Sequence, residues 1–266
     1  MKVWAVANQK GGVGKTTTVV SLGGIFAQRN TKTLMIDMDP HGSMTSYFGH
    51  NPDTIDSSLY QLFEKKSRHQ FQDPYELVLG TRFDNLYLLP ASTALATLDR
   101  QLGAMDGMGL VITRSLKAMA HQFDQVMIDC PPQLGVLMVN ALAACQHLII
   151  PVQTEFLALK GLERMLRTLN MIAAAQKKQL DYTILPTMFD RRTRASVNTL
   201  RVLRETYPKF IWQSVIPVDT QFREASRAGI PLPIRSPNDR GSLAYDLFLQ
   251  DTLAKCQTEG LPCAVA

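Results

Sequence analysis

Cysteine is scarce and scattered. Cys130, Cys145, Cys256 and Cys263 are the only four in 266 residues, with no Cys-x-x-Cys pair and no histidine at ligand-like spacing. That pattern excludes a zinc framework or a disulfide scaffold as the organising principle, and it predicts reduced thiols. Long apolar runs are missing as well; none reaches the roughly 18 residues that a membrane-spanning helix needs. Met1 leads straight into a strand-like segment rather than the apolar stretch of a secretory leader. A cytoplasmic protein without membrane contact is expected. There is no linker and no low-complexity tract, so residues 1–256 are expected to form one domain and 257–266 a short tail. Charge is sparse, at 19% of residues and a net +5, but it is uneven. Residues 160–240 carry 15 Lys/Arg against 7 Asp/Glu, whereas the remainder carries 13 against 16. No aromatic stripe or base-reading motif accompanies that basic segment, so any nucleic-acid contact would be to backbone phosphates.

What is present is concentrated near the start. Gln9 to Thr17 reads QKGGVGKTT, between the apolar run Lys2 to Ala7 and a segment where Val19, Leu22, Ile25 and Phe26 recur at helical spacing. Strand, glycine-rich turn and helix are the setting of a phosphate-binding loop. Gly11, Gly12 and Gly14 permit positive φ and close approach of the backbone to a ligand. The N–H groups of Gly11, Gly12, Val13, Gly14, Lys15, Thr16 and Thr17 are then expected to line one concavity at a helix N-terminus, where the dipole favours anions. Lys15 adds a full charge for β- and γ-phosphates, and the Thr16 hydroxyl can ligate Mg²⁺. A plain glycine turn would not need two lysines and two threonines beside its glycines.

Two further strands end in carboxylates. Thr33 to Asp37 runs into Met38-Asp39-Pro40-His41-Gly42, and Gln125 to Asp129 runs into Cys130-Pro131-Pro132. The carboxyl ends of strands are where open α/β sheets bind ligands. Asp129 can hold Mg²⁺ beside the loop, directly or through water. Alternating strands and helices imply an α/β fold, a single domain with a mainly parallel twisted sheet covered by helices on both faces. Further strands are expected over Asn85 to Pro90, His147 to Val152, Tyr182 to Thr187 and Ile211 to Ile216. Helices are expected over Leu110 to Gln122, Val136 to Ala144, Leu159 to Gln176, Gln221 to Ala228 and Leu243 to Ala254. Residues 50–84 are polar and mixed, with a short helix suggested by Leu59, Leu62 and Phe63. His147 reads as structural, and Lys65, Lys66 and Arg68 as a solvated face.

The loop departs from G-x-x-x-x-G-K-[ST], because Gln9 stands where glycine belongs and Lys10 follows. In this it resembles the deviant Walker A loop of the ParA/MinD family of ATPases. The match runs from about residue 2 to 254 and includes Asp-x-Asp-Pro-x-Gly at 37–42, Thr-Met-Phe-Asp at 187–190, Ile-Pro at 216–217 and Gly-Ile-Pro at 229–231. The resemblance implies ATP and Mg²⁺ as ligands, with Thr16, Asp39 and Asp129 around the metal. It makes Asp39 the residue needed for hydrolysis and Pro131 to Gly135 part of a second switch. Adenine is expected near Thr187, Met188, Pro217 and Val218. Lys10 of each subunit is expected to reach the partner's phosphates in an ATP-dependent homodimer. The short Soj-like type fits best, including relatives that place chemotaxis arrays at the cell pole. A MinD-like membrane helix is disfavoured by Gly260 and Pro262, and an extra N-terminal DNA-binding domain is not expected. Non-specific DNA binding through Arg191, Arg194, Arg201, Arg204, Arg223 and Arg227 is implied, although Val218-Asp219 replaces the arginine relatives carry after Ile-Pro. A stimulating or cargo-adaptor protein, or a polar landmark protein, is the implied partner, on the nucleoid or at the pole. Two other classes share parts of the pattern. An electron-transfer ATPase like the nitrogenase iron protein lacks its cluster cysteines here, and a ligase of the dethiobiotin-synthetase type would need an organic acid for turnover.

Overall fold

The computed structural model describes residues 1–102, 107–176 and 180–258. Within them β1 (Lys2–Val6), β2 (Thr33–Asp37), β3 (Leu79–Gly80), β4 (Leu86–Leu89), β5 (Gln125–Asp129), β6 (His147–Gln153) and β7 (Asp181–Thr187) form one sheet, ordered β3-β4-β2-β5-β1-β6-β7. All neighbours run parallel except β3, a two-residue antiparallel edge strand. The connections carry α1 (Lys15–Gln28), α2 (Ser43–Tyr47), α3 (Tyr60–Ser67), α4 (Leu95–Leu102), α5 (Val111–Ala118), α6 (Val136–Ala144), α7 (Ala158–Gln176), α8 (Arg194–Thr206), α9 (Gln221–Ala228), α10 (Leu232–Arg235) and α11 (Arg240–Thr258).

Strands buried on both faces need continuous apolar runs, and the two-residue period then sorts each run between two cores. Val3, Ala5, Leu34, Ile36, Val126 and Ile128 share a core with Phe63 of α3, Leu116 of α5 and Leu137 of α6. Trp4, Val6, Met35 and Met127 share the other with Leu22 and Ile25 of α1 and Phe248 of α11. The helix α1 is pressed between sheet and α10. A Cβ on Gly23 would come within 2.9 Å of the Met35 sulfur, and one on Gly24 within 2.8 Å of Pro231. The helix that begins at Lys15 is therefore pinned from both sides.

Most expected elements are found, with three corrections. Ile211 to Ile216 is not a strand. The segment touches β7 and the residues after it through single parallel bridges, Ile184 to Ile211 and Phe189 to Pro217, with a bend at Gln213–Ser214 between. The helix α4 was not expected, because among its residues of described burial only Leu95 and Leu98 are buried apolar. Cys130 and Cys145 are buried free thiols, whereas Cys256 is disulfide-bonded, which corrects the expectation of reduced thiols throughout. The expected tail, 257–266, lies largely outside the described residues. No helix among the described residues is long and apolar enough to cross a membrane.

Candidate functional site

The loop after β1 turns through Gly12 at φ 73° and Gly14 at φ 93°, a backbone that side chains rarely adopt. A Cβ on Gly11, Gly12 or Gly14 would meet no protein atom within 4 Å, because the loop faces an open cleft. Lys15, the first residue of α1, is 8% exposed, and its Nζ lies 3.4 Å from the Lys10 carbonyl. Thr16 Oγ1 donates to Asp129 Oδ2 at 2.6 Å. Thr187 Oγ1 donates to the Val13 carbonyl at 2.9 Å, which ties the loop to the end of β7.

Asp37 and Asp129 are register partners at the ends of β2 and β5, and both are buried. Asp37 Oδ2 accepts from the Thr45 N–H and hydroxyl, each at 2.8 Å, and Oδ1 accepts from the Asp39 N–H at 3.2 Å. Burial outweighs these bonds and pushes the Asp37 carboxyl up to about 6. Asp129 is raised well above the usual carboxylate range by burial and by the charge of Asp37, against the pull of Thr16 and Lys15. Its Oδ1 has no hydrogen-bond partner among the described residues. Two buried carboxylates with one oxygen unpartnered make a site short of positive charge. Asp39 lies at the lip, where its Oδ1 accepts from the His41 N–H at 3.0 Å and meets His41 Nδ1 at 2.9 Å. A cavity of about 540 Å³ joins Gly11, Lys15, Thr16, Asp39, Pro132 and Met188.

A second space of about 680 Å³ shares Gly14, Thr17 and Met188 with the first and reaches Thr187, Pro217 and Val218. The four residues expected near a base are thus brought together. The six arginines fall into two groups. Arg223 and Arg227 of α9 line this second space, whereas Arg191, Arg194, Arg201 and Arg204 lie exposed on or beside α8. Arg201 pairs with Glu205 at 3.1 Å, and Arg204 donates to the Gln213 carbonyl.

The sequence pattern of the AAA domain family matches residues 1–182. The sporulation initiation inhibitor protein Soj of Bacillus subtilis is 33% identical over 92% of this chain and 95% of its own length. The chromosome partitioning protein ParA of Myxococcus xanthus is 31% identical over 98% and 90%. The chain belongs to the Soj/ParA family. Among solved structures, cobyrinic acid a,c-diamide synthase from Mycobacterium smegmatis, with bound ATP analogue and magnesium, superposes with a TM-score of 0.82 at 31% identity, covering 100% of this chain and 99% of that one. McdA from Cyanothece has the same fold, with a TM-score of 0.82 at 23% identity and coverage of 94% and 99%.

In this Soj/ParA-family chain the second loop lysine turns outward. Lys10 Nζ forms an ion pair with Glu155, just beyond β6. Nothing in Gln153-Thr154-Glu155 singles out that carboxylate, because its partner lies 145 residues away. Phe222 and Ser226 of α9, which line both cavities, were also not legible, since α9 carries no nucleotide motif. Thr45 was not legible for another reason: a threonine in a short helix carries no sign that a buried carboxylate eight residues earlier needs its N–H and hydroxyl.

Proposed function

We propose that this chain is an ATP-dependent dimerising switch. It binds ATP with Mg²⁺, pairs with a second copy, and returns to monomer when ATP is hydrolysed to ADP and phosphate. The observation that supports the ATPase reading most is the Thr16–Asp129 contact at 2.6 Å, with the other Asp129 oxygen left without a partner among the described residues. The residues fit the nucleotide. Gly11 to Thr17 would hold its phosphates, and Thr187, Met188, Pro217 and Val218 its adenine. Thr16, Asp129 and Asp39 would hold Mg²⁺, which when bound supplies charge neutralisation on the phosphate oxygens. Asp39 would orient or activate the attacking water. Lys10 would leave Glu155 and reach the phosphates held by the second copy, acting there as an arginine finger does.

The name of the chromosome partitioning ParA relatives supports a positioning role. The cargo would be a chromosome or plasmid locus or a polar chemotaxis array, addressed in the cytoplasm through the nucleoid or the pole. Hydrolysis would be slow and stimulated by an adaptor or landmark protein. A second reading comes from the synthase among the similar structures. Phosphate release measured with Mg²⁺ and ATP alone separates the two. Slow turnover without any organic substrate is expected, and turnover appearing only with an added carboxylic acid would favour the ligase. Lys15→Ala should weaken ATP binding by several kcal/mol, on the scale of breaking a buried charge pair. Near-normal affinity in that variant would sink the phosphate-loop assignment.

A further inference from the structure

The segment that leads from Asp129 into α6 is held from outside by a residue of α4. Asp99 Oδ1 accepts the Leu137 N–H at 2.9 Å, one of the donors that a helix leaves unsatisfied in its first turn. The helix has no side-chain cap of its own, because the residue before it is Gly135. Asp99 also lies against the Gly135 α-carbon, where a Cβ would overlap both carboxylate oxygens. Gly135 has φ −138° and ψ −169°, an extended backbone open to any residue. A side chain at 135 would have to displace the carboxylate that fills this space, so the glycine serves the contact with Asp99 and not a special turn. The negative charge of Asp99 at a helix N-terminus is also favourable.

The held segment borders the candidate site at several points. Asp129 takes the Thr16 hydroxyl, and Pro132 lines the cavity with Lys15 and Asp39. A separate cavity of about 800 Å³ brings Asp99 of α4 together with Gln133 of this segment and with Pro40 and His41 of the Asp39 loop. One carboxylate therefore sits where α4, both loops and the first turn of α6 meet.

We propose that Asp99 is a positioning residue that sets the Pro131 to Gly135 loop against the nucleotide cleft. Turnover depends on that placement, whereas nucleotide binding, carried by the loop before α1, does not. The effect on turnover rests on the ATPase reading above; the latch itself can be measured without nucleotide.

The test uses the full chain with Asp99→Ala, Gly135→Ala, the double variant and Asp99→Asn. Amide exchange of the nucleotide-free protein reads the latch. The Leu137 amide should exchange about tenfold faster or more in Asp99→Ala and in Gly135→Ala, the size expected for losing a hydrogen bond to a charged acceptor. Amides of β1 and β6 should keep their protection, which separates a released latch from general unfolding. The double variant should match Asp99→Ala alone, because removing the carboxylate vacates the space that the new methyl needs. Asp99→Asn retains an acceptor and should recover part of the protection. With ATP, the single alanine variants should keep the parent KM and lose about tenfold in kcat, an effect on the reacting state alone. Unchanged Leu137 exchange in Asp99→Ala, or additive effects in the double variant, would overturn the latch. Faster exchange with parent turnover would overturn the positioning role while leaving the ATPase reading in place. Absence of turnover in the wild type would instead overturn the ATPase reading and, with it, the role in turnover.

Discussion

Replacing Glu155 with glutamine removes the anion that holds Lys10 and should tighten ATP-dependent self-association. The two side chains are 30% and 39% exposed, so solvent screens the pair. An ion pair in that setting contributes at most about 1 kcal/mol. In the proposed dimer Lys10 would have to give up this partner before crossing to the other subunit, so removing the partner should favour crossing by up to about fivefold per lysine. A symmetrical dimer releases two such lysines, which sets an upper bound of about 25-fold on the dissociation constant. The same change removes one ion pair from the monomer, and its Tm should fall by no more than about 2–4 °C. The two effects have opposite signs, which makes the competition recognisable. Sedimentation over a concentration series, with a non-hydrolysable ATP analogue and Mg²⁺, measures it, and ADP serves as the control. The advantage should shrink as salt is raised, because exposed charges are then screened. Lys10→Ala should gain nothing from the Glu155 change and should fail to hydrolyse ATP. A dimer that is unchanged or weaker in Glu155→Gln would refute the competition. Parent-rate turnover in Lys10→Ala would refute the crossing itself.

Asp39→Ala should still bind ATP and dimerise but lose roughly 100-fold or more in turnover, the scale of a lost general base; phosphate release and sedimentation separate stalling from failure to bind. Asp37 should make the nucleotide-free protein less stable as pH rises from about 4 to about 6. Its carboxyl, raised from 3.8 to about 6, keeps its proton in the folded state where the unfolded chain has released it, which corresponds to about 3 kcal/mol. Urea unfolding across that range should show a steeper fall in wild type than in Asp37→Asn, where the buried Asp129 still contributes its own share, and an equal fall in the two proteins would refute the assignment. If the dimer holds DNA through Arg191 and Arg194, Arg191→Glu/Arg194→Glu should reduce the salt slope of ATP-dependent binding by roughly 0.9 for each phosphate that the variant no longer neutralises; no binding at about 50 mM salt with ATP would remove DNA from the proposal.

The parts of the fold that were legible are those where burial constrains every residue. β1, β2 and β5 lie in the middle of the sheet, and their apolar runs end at a carboxylate or a glycine turn in the sequence as they do in the fold. The ends of α6 and α9 were also legible, because Gly135 and Gly229 stand just outside them. The parts that were not legible depend on neighbours. β3 exists only because two residues pair with β4 at the edge. The segment after α8 has an apolar strand pattern, but Trp212 Nε1 donates to Asp251 of α11 at 2.8 Å, and the bend that follows breaks the ladder with β7.

In the candidate site, spacing within one loop carries an expectation because a phosphate can be surrounded only by certain residue types. The bonds that lock the loop in place span 174 residues for Thr187 to Val13 and 145 for Lys10 to Glu155, and no spacing rule covers such distances. The Asp-x-Asp at 37–39 shows how two chemically equal residues part company. Asp37 ends a buried strand and cannot leave it, so it takes the Thr45 N–H, the Thr45 hydroxyl and the Asp39 N–H. Thr45 in turn accepts the Ala91 N–H at 2.9 Å. Asp37 thereby fixes the start of the Asp39 loop to α2 and to the chain beyond β4. Asp39, two residues on, has left the sheet and can meet His41 and the cleft. The first carboxylate holds the loop, and because it does, the second is left free for the hydrolytic role proposed for it.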